Sequence, residues 1–278
     1  MNRISTHFLD LEGIKTAYYS TEGEGTPIVL LHGGGVDHAM LSWKTIMQTW
    51  TGSQPLVALD LPGYGNSDKP ELEYSLSFYT GFLNAFLDTL NAQNVTLCGL
   101  SMGGAIALQY ALRYPDYIGK LVLVAPWGVS PYSLMGRLLV RLPLNQVAYK
   151  TLQNRWLAKN IIAGSLIGNR EKITPEILDE VQTAAHSKDA ARVFQSFQIS
   201  ELWGEPPVGH LIPLLPQIKV PTLFIQGDKD PGVKVGDVKQ AAASMPNARV
   251  EIFEHHKHWV QKESPERFVD IVRDFVES

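Results

Sequence analysis

Six times along this chain a short aliphatic run ends in a loop rich in glycine, proline, aspartate or histidine. The segments are "TPIVLLHGGG", "QPLVALDLPGYGNSD", "NVTLCGLS", "KLVLVAPWG", "VPTLFIQGDKD" and "ARVEIFEHH". Short runs that are apolar throughout, rather than at alternate positions, suit strands of a parallel sheet covered on both faces. Residues 6–19 add two strands around the turn signal Glu12-Gly13. Helical patterns lie between the runs. Phe78, Phe82, Leu83, Phe86 and Leu90 recur at helical spacing, and "SPERFVDIVRDFV" puts Phe268, Ile271, Val272 and Phe275 on one face. Ser264 is the expected N-cap of that last helix and Pro265 its first residue. Strands alternating with helices through right-handed crossovers predict an α/β chain with a doubly wound, mostly parallel sheet.

The alternation breaks once. From about Ser130 to Pro213 there is no strand run, only helical or irregular sequence punctuated by Pro143, Gly164, Pro175 and Pro206-Pro207. A largely helical insertion over 130–213 is expected, with the sheet built from 1–129 and 214–278. Its aromatic residues Tyr132, Tyr149, Trp156, Phe194, Phe197 and Trp203 are expected mostly to form the insertion's own core, the remainder lining a cleft over the sheet.

Composition narrows the partners. With 278 residues, 45% hydrophobic content and a formal net charge of -4, the chain offers no basic field for nucleic acid and no basic run for a lipid surface. The single cysteine, Cys98, permits no internal disulfide and reads as a small packing residue. The N-terminal "MNRISTHFLDLEGIK" has no apolar h-region. A cytoplasmic protein with a small-molecule partner, no membrane and no nucleic acid is expected; whether it forms a homo-oligomer is left open.

The chemistry concentrates after the runs. Gly99-Leu100-Ser101-Met102-Gly103 matches G-x-S-x-G, a strand-to-helix bend that projects a serine hydroxyl from a strained backbone. The helix starting at Met102 points its amides at the same spot. A serine needs a base, and on this type of sheet the chain order is serine, acid, histidine. Asp228 and Asp230 follow one strand, and His255, His256 and His258 follow the last. Three imidazoles in four residues also raise a zinc site, but no cysteine or carboxylate spacing completes a known pattern. The glycines of "LLHGGG" offer backbone N–H groups for an oxyanion.

At "LHGGG", "DLPGYGNSDKP", "GLSMGG", "GDKD" and "HWVQKESPERF" the sequence resembles the α/β-hydrolase superfamily across essentially its whole length. The resemblance implies a serine hydrolase with no metal and no organic cofactor, and a cap (lid) over 130–213. It implies Ser101 as nucleophile, His258 as the histidine preceding x-x-x-x-Glu263, and Asp230 as the acid, with Asp228 the fallback. Gly34 and Met102 match the residues whose amides form the oxyanion hole. Lys257 stands where many members have glycine, and Pro231 shortens the acid loop. Ser101 argues against haloalkane dehalogenases and epoxide hydrolases, which carry aspartate there. The chain is similar to hydrolases that cleave carbon–carbon bonds of meta-ring-fission products, yet it has Leu100 and Val36-Asp37 where those have Asn and Pro-Gly. A carboxylesterase-type enzyme acting on an apolar ester is therefore expected first. The carbon–carbon hydrolase is second, with Arg137, Arg141, Arg155 and Arg192 as candidate anchors for an acidic substrate. A ligand receptor on the same fold is third.

Overall fold

The computed structural model describes residues 1–130, 138, 140–142, 144–187, 189–204 and 211–278. Tyr132, Arg137, Pro143 and Pro206-Pro207 lie outside the described residues. Eight strands form one sheet: β1 (Ile4–Leu11), β2 (Ile14–Thr21), β3 (Ile28–Leu31), β4 (Leu56–Leu59), β5 (Val95–Leu100), β6 (Ile118–Val124), β7 (Thr222–Gly227) and β8 (Ala248–Phe253). Their spatial order is β1-β2-β4-β3-β5-β6-β7-β8. β1 and β2 pair antiparallel, as do β2 and β4, and every pairing from β4 through β8 is parallel. The expected sheet is present.

Every residue of β3, β4, β5 and β7 is buried, which is why those segments read as unbroken apolar runs. β8 differs. As an edge strand it exposes Arg249 and leaves Glu251 half-buried, and such charges discourage pairing with another chain.

The crossovers position the site. From β3 through α1 (Ala39–Thr49) the chain steps to β4, and through α2 (Leu76–Thr89) it returns past β3 to β5. The winding direction thus reverses between β3 and β5, and the loops after those two strands diverge to leave a crevice. From β5 the chain turns directly into α3 (Met102–Arg113).

Between β6 and β7 the described residues form α4 (Leu144–Leu152), α5 (Arg155–Ser165), α6 (Pro175–Ala185) and α7 (Ala190–Trp203), with no strand among them. Their starts are written locally. The Asn154 side chain accepts the N–H of Leu157, and that of Thr174 accepts the N–H of Ile177 ahead of Pro175 at the first helical position. Among the described residues, these helices pack on one another and also share the apolar clusters of the sheet domain, so the aromatic residues described do not mostly form a separate core, contrary to expectation. Phe197 joins the cluster of α2 and α3 on one face of the sheet, and Leu152, Ile162 and Val181 join that of α1 on the other. Trp156 is 72% exposed.

After β7 come α8 (Val235–Ser244), and after β8 α9 (Val260–Glu263) and α10 (Pro265–Glu277). Phe268, Val272 and Phe275 are buried as the spacing predicts, but the Ser264 side chain makes no cap bond to α10. Its hydroxyl instead bonds His256 Nε2 at 2.6 Å. Among the described residues no helix is long and apolar enough to cross a membrane.

Glu201 ties α7 to the sheet domain. It is 1% exposed, and its Oε1 accepts the N–H of Leu76 at the start of α2 at 2.6 Å. Its Oε2 has no hydrogen-bond partner among the described residues. Burial raises its pKa from 4.5 to about 7, the Leu76 N–H opposing the rise and Glu73 adding to it. An acid raised on folding favours the folded state while it is neutral, and that contribution is lost as pH climbs from 4.5 through 7. Glu201→Gln keeps the acceptor for Leu76 and removes the charge. It is expected to leave stability near pH 5 unchanged and to raise it near pH 8 by about 2 kcal/mol. Urea unfolding at the two pH values checks this, and an equal shift at both would refute it.

Candidate active site

Ser101 makes the turn between β5 and α3 alone, at φ 51 and ψ -112. A side-chain-bearing residue is strained there and persists only where its surroundings over-determine it. They do. Its N–H donates to Val124 C=O at 2.8 Å, and its C=O accepts from Trp127 at 2.9 Å and Ala105 at 3.1 Å. The bend is also crowded to backbone contact. A Cβ on Gly99 would sit 2.3 Å from the Gly103 oxygen, and one on Gly103 would sit 2.5 Å from the Leu31 oxygen.

The glycine loop after β3 is fixed from both ends. His32 is fully buried, and its Nε2 accepts the N–H of Leu61 at 3.1 Å. The ring proton is therefore on Nδ1, which donates to Gly33 C=O at 2.7 Å. Burial lowers the His32 pKa despite Asp37 and Asp60 nearby, which keeps the ring neutral. Because a trans peptide sets its C=O and N–H antiparallel, holding the Gly33 carbonyl also aims the Gly34 N–H. The preceding N–H, of Gly33, donates to Asp37 Oδ2 at 2.8 Å. Asp37 is 4% exposed and also accepts the His38 N–H and the Ser42 hydroxyl. Phe194 of α7 covers the loop so closely that a Cβ on Gly34 would lie 2.3 Å from its ring.

His258 and Asp230 meet from neighbouring strands: His258 Nδ1 lies 2.7 Å from Asp230 Oδ2, with the carboxylate side chain 1% exposed. The other carboxylate oxygen accepts the N–H groups of Gly232 and Val233, so Pro231 closes a tight turn that binds its own acid. Burial pushes Asp230 toward a higher pKa, but the His258 bond and charge and those two N–H groups outweigh it and hold the carboxyl below the ordinary range. Asp228 lies outside this arrangement, paired with Lys229 at 3.2 Å.

The three histidines are engaged separately. His256 bonds the Glu254 carbonyl and Ser264, His255 is exposed, and His258 faces Asp230. Among the described residues no group of three or more His, Cys, Asp or Glu side chains could hold a metal ion. Burial raises the Cys98 thiol pKa far above its ordinary value, as a packing role requires.

Ser101 and His258 line one cavity of about 240 Å³ with Gly33, Gly34, Asp37 and Trp259. Its far wall is one face of α4, carrying Asn145, Ala148, Tyr149 and Leu152, together with Leu166 and Phe194. No arginine or lysine lines it among the described residues. Arg141 stacks on the Trp203 ring, Arg155 pairs with Asp179, and Arg192 bonds Asp189 and the Lys69 and Pro70 carbonyls. Asp37 escaped the sequence analysis, as did Asn145, Ala148 and Leu152 of the α4 face, whereas Tyr149 was among the aromatic residues that could line a cleft. Asp37 belongs to no motif, and only a carboxylate placed directly before a helix and four residues after Gly33 hinted at it.

A family model described as the alpha/beta hydrolase fold matches residues 26–265. The chain belongs to that family. This hydrolase is 26% identical over 271 residues to a 2-hydroxy-6-oxo-6-phenylhexa-2,4-dienoate hydrolase of Comamonas testosteroni, covering 93% of this chain and 90% of that one. Among solved structures it is similar to a membrane phospholipase A at TM-score 0.81 and 26% identity, over 99% of this chain and 86% of the other. The 2-hydroxy-6-oxo-6-phenylhexa-2,4-dienoate hydrolase from Rhodococcus sp. strain RHA1 superposes at TM-score 0.84 over the full length of both chains, at 19% identity. That likeness is one of fold.

The strain at residue 101 has a measurable consequence. Glycine adopts positive φ without the Cβ cost, whereas alanine keeps it. Ser101→Gly is expected to be more stable than Ser101→Ala by about 1 kcal/mol. Denaturant midpoints of the two variants check this; equal midpoints would mean that the bend is not strained.

Proposed function

We propose that this hydrolase cleaves the ester bond of a small to medium, mostly apolar and uncharged substrate through an acyl-enzyme. His258 takes the proton of Ser101 as the hydroxyl oxygen attacks the ester carbonyl carbon. The Gly34 and Met102 amides receive the oxyanion, each contributing about 3 kcal/mol. The bond to the alcohol oxygen then breaks, and His258 returns the proton to it. In the second half a water gives its proton to His258 and attacks the acyl carbon, and Ser101 leaves with that proton. Asp230 holds the imidazole with Nδ1–H toward itself and stabilises the imidazolium. Helices α4–α7 act as the cap over 130–213, forming the wall that selects the substrate and excludes water.

What carries the ester reading over its rival is the lining of the cavity. A substrate of the kind named for the Comamonas relative bears a carboxylate. A largely apolar cavity accepts a carboxylate only with a cation or several donors to meet it. Among the described residues that wall has no arginine or lysine, and it does carry Asp37. The second reading, carbon–carbon bond hydrolysis of such a dienoate, is supported by that relative's 26% identity over nearly the whole chain. In it the same groups act, with His258 also moving a proton to ketonise the substrate. The similarity to a phospholipase A is of equal identity, so likeness alone does not choose between them.

A p-nitrophenyl acyl series assayed beside a dienoate ring-fission product tests the choice, and far higher efficiency on the dienoate would reverse it. A fluorophosphonate probe is expected to label Ser101, and Ser101→Ala and His258→Ala are each expected to lose about 10³-fold or more in kcat. An adduct on another residue would refute the assignment.

A further inference from the structure

Tyr149 stands on the cavity-lining face of α4, one turn beyond Asn145 and one turn before Leu152. It is 5% exposed, with its ring packed against Val36 of the glycine loop and Ala191 of α7. Its hydroxyl oxygen is closed off from solvent and has no hydrogen-bond partner among the described residues. Burial and, after it, the Asp37 carboxylate raise its pKa far above that of an ordinary phenol, so the group is a proton donor at any working pH. Asp37 is engaged by Gly33, His38 and Ser42 and makes no hydrogen bond to Tyr149.

An unpaired buried hydroxyl destabilises a fold, and phenylalanine would fill the same space without that cost. A donor kept unpaired beside a ligand cavity is explained by an acceptor that arrives with the ligand. In the ester reading, on which this inference rests, the scissile group is already served: its carbonyl oxygen by Gly34 and Met102, its leaving oxygen by His258. Tyr149 is a wall donor left without a part in that chemistry. Asn145, its neighbour on the same face, already donates to Gln198 Oε1 at 2.8 Å.

We propose that the Tyr149 hydroxyl binds substrate. It donates a hydrogen bond to a neutral acceptor oxygen carried outside the scissile ester, in the acyl or the alcohol half. The substrate class is thereby narrowed from plain alkyl esters to esters bearing an ether, ketone or hydroxyl oxygen within an otherwise apolar frame. An all-carbon ester in the same pose leaves the phenol unpaired, and a site built to hydrogen-bond its substrate discriminates strongly against an analogue that lacks the partner.

Paired esters, differing only by an ether oxygen in place of one methylene at successive acyl or alcohol positions, test this on the full chain. Wild type is expected to favour the oxygen-bearing member at one or more positions by about tenfold or more in kcat/KM. Tyr149→Phe is expected to erase that preference and to melt at the same temperature or higher. A wild type with no preference at any position would overturn the proposal, as would a preference that survives in Tyr149→Phe. So would a variant with a clearly lowered melting temperature, because the hydroxyl would then be serving the fold. Failure of the underlying reading looks different: wild type itself would cleave no ester and Ser101 would take no fluorophosphonate, and this inference would fall with it.

Discussion

Everything at the site depends on one contact, backbone against backbone, where β5 turns into α3. The missing side chains of Gly99 and Gly103 let the strand end, the first turn of the helix and the end of β3 touch. That contact leaves room for only one residue in the bend and forces Ser101 into a conformation that costs about 1–3 kcal/mol. The cost is met by the hydrogen bonds on either side of Ser101, two of them from the β6 end and the residues just beyond it. The same contact brings the glycine loop alongside, with Gly33 close enough that a Cβ would lie 3.5 Å from that of Ser101. Hydroxyl and backbone donors are therefore placed by main-chain geometry, which is stiffer than any side-chain rotamer.

The histidine side of the cavity is held by different means. Its loop reaches the helices between β6 and β7 at three places. Lys257 Nζ donates to the carbonyls of Ala163 and Gly164, where α5 ends. Trp259 N–H donates to Leu166 C=O, and both carboxylate oxygens of Glu263 accept N–H groups, from Gly168 and Asn169. A cation on the last carbonyls of a helix is favoured by their exposed partial charge. This accounts for lysine where many family members carry glycine: the residue before His258 has a docking task here. The wall helices and the imidazole are thus coupled, and a displacement of α5 would be felt at residue 258 through short, charge-assisted bonds.

The sheet was legible because burial on both faces makes most residues of β3, β4, β5 and β7 apolar in succession. G-x-S-x-G, G-D-K-D and the final histidine were legible because strands end where polar residues begin. Asp230 could be preferred to Asp228 only by resemblance, since the two lie two positions apart and sequence does not say which side of the turn faces His258. The structure separates them by burial and partner. The aromatic residues of the helical segment misled because helical spacing reports that a face is buried, not against what. Phe197 packs beside Tyr79 of α2, whereas Phe194, one turn away on α7, covers Gly34. Asp37 carried little signal: its task is to accept main-chain N–H groups, and those have no sequence signature.

The buried polar groups complete the physical picture. Asp60, fully buried, accepts from Tyr19, Ala39 and Asn66, and Asp37 and Asp230 are each held by two backbone N–H groups as well as side chains. Such carboxylates are satisfied by short, local donors and serve to rigidify the loops around the crevice. Against that background the unsatisfied groups are informative. Ser101 holds a strained backbone, and Tyr149 Oη faces no acceptor; both border the same cavity. Strain at Ser101 and a spare donor at Tyr149 thus sit around one cavity, where a bound ligand can restore the stability they cost.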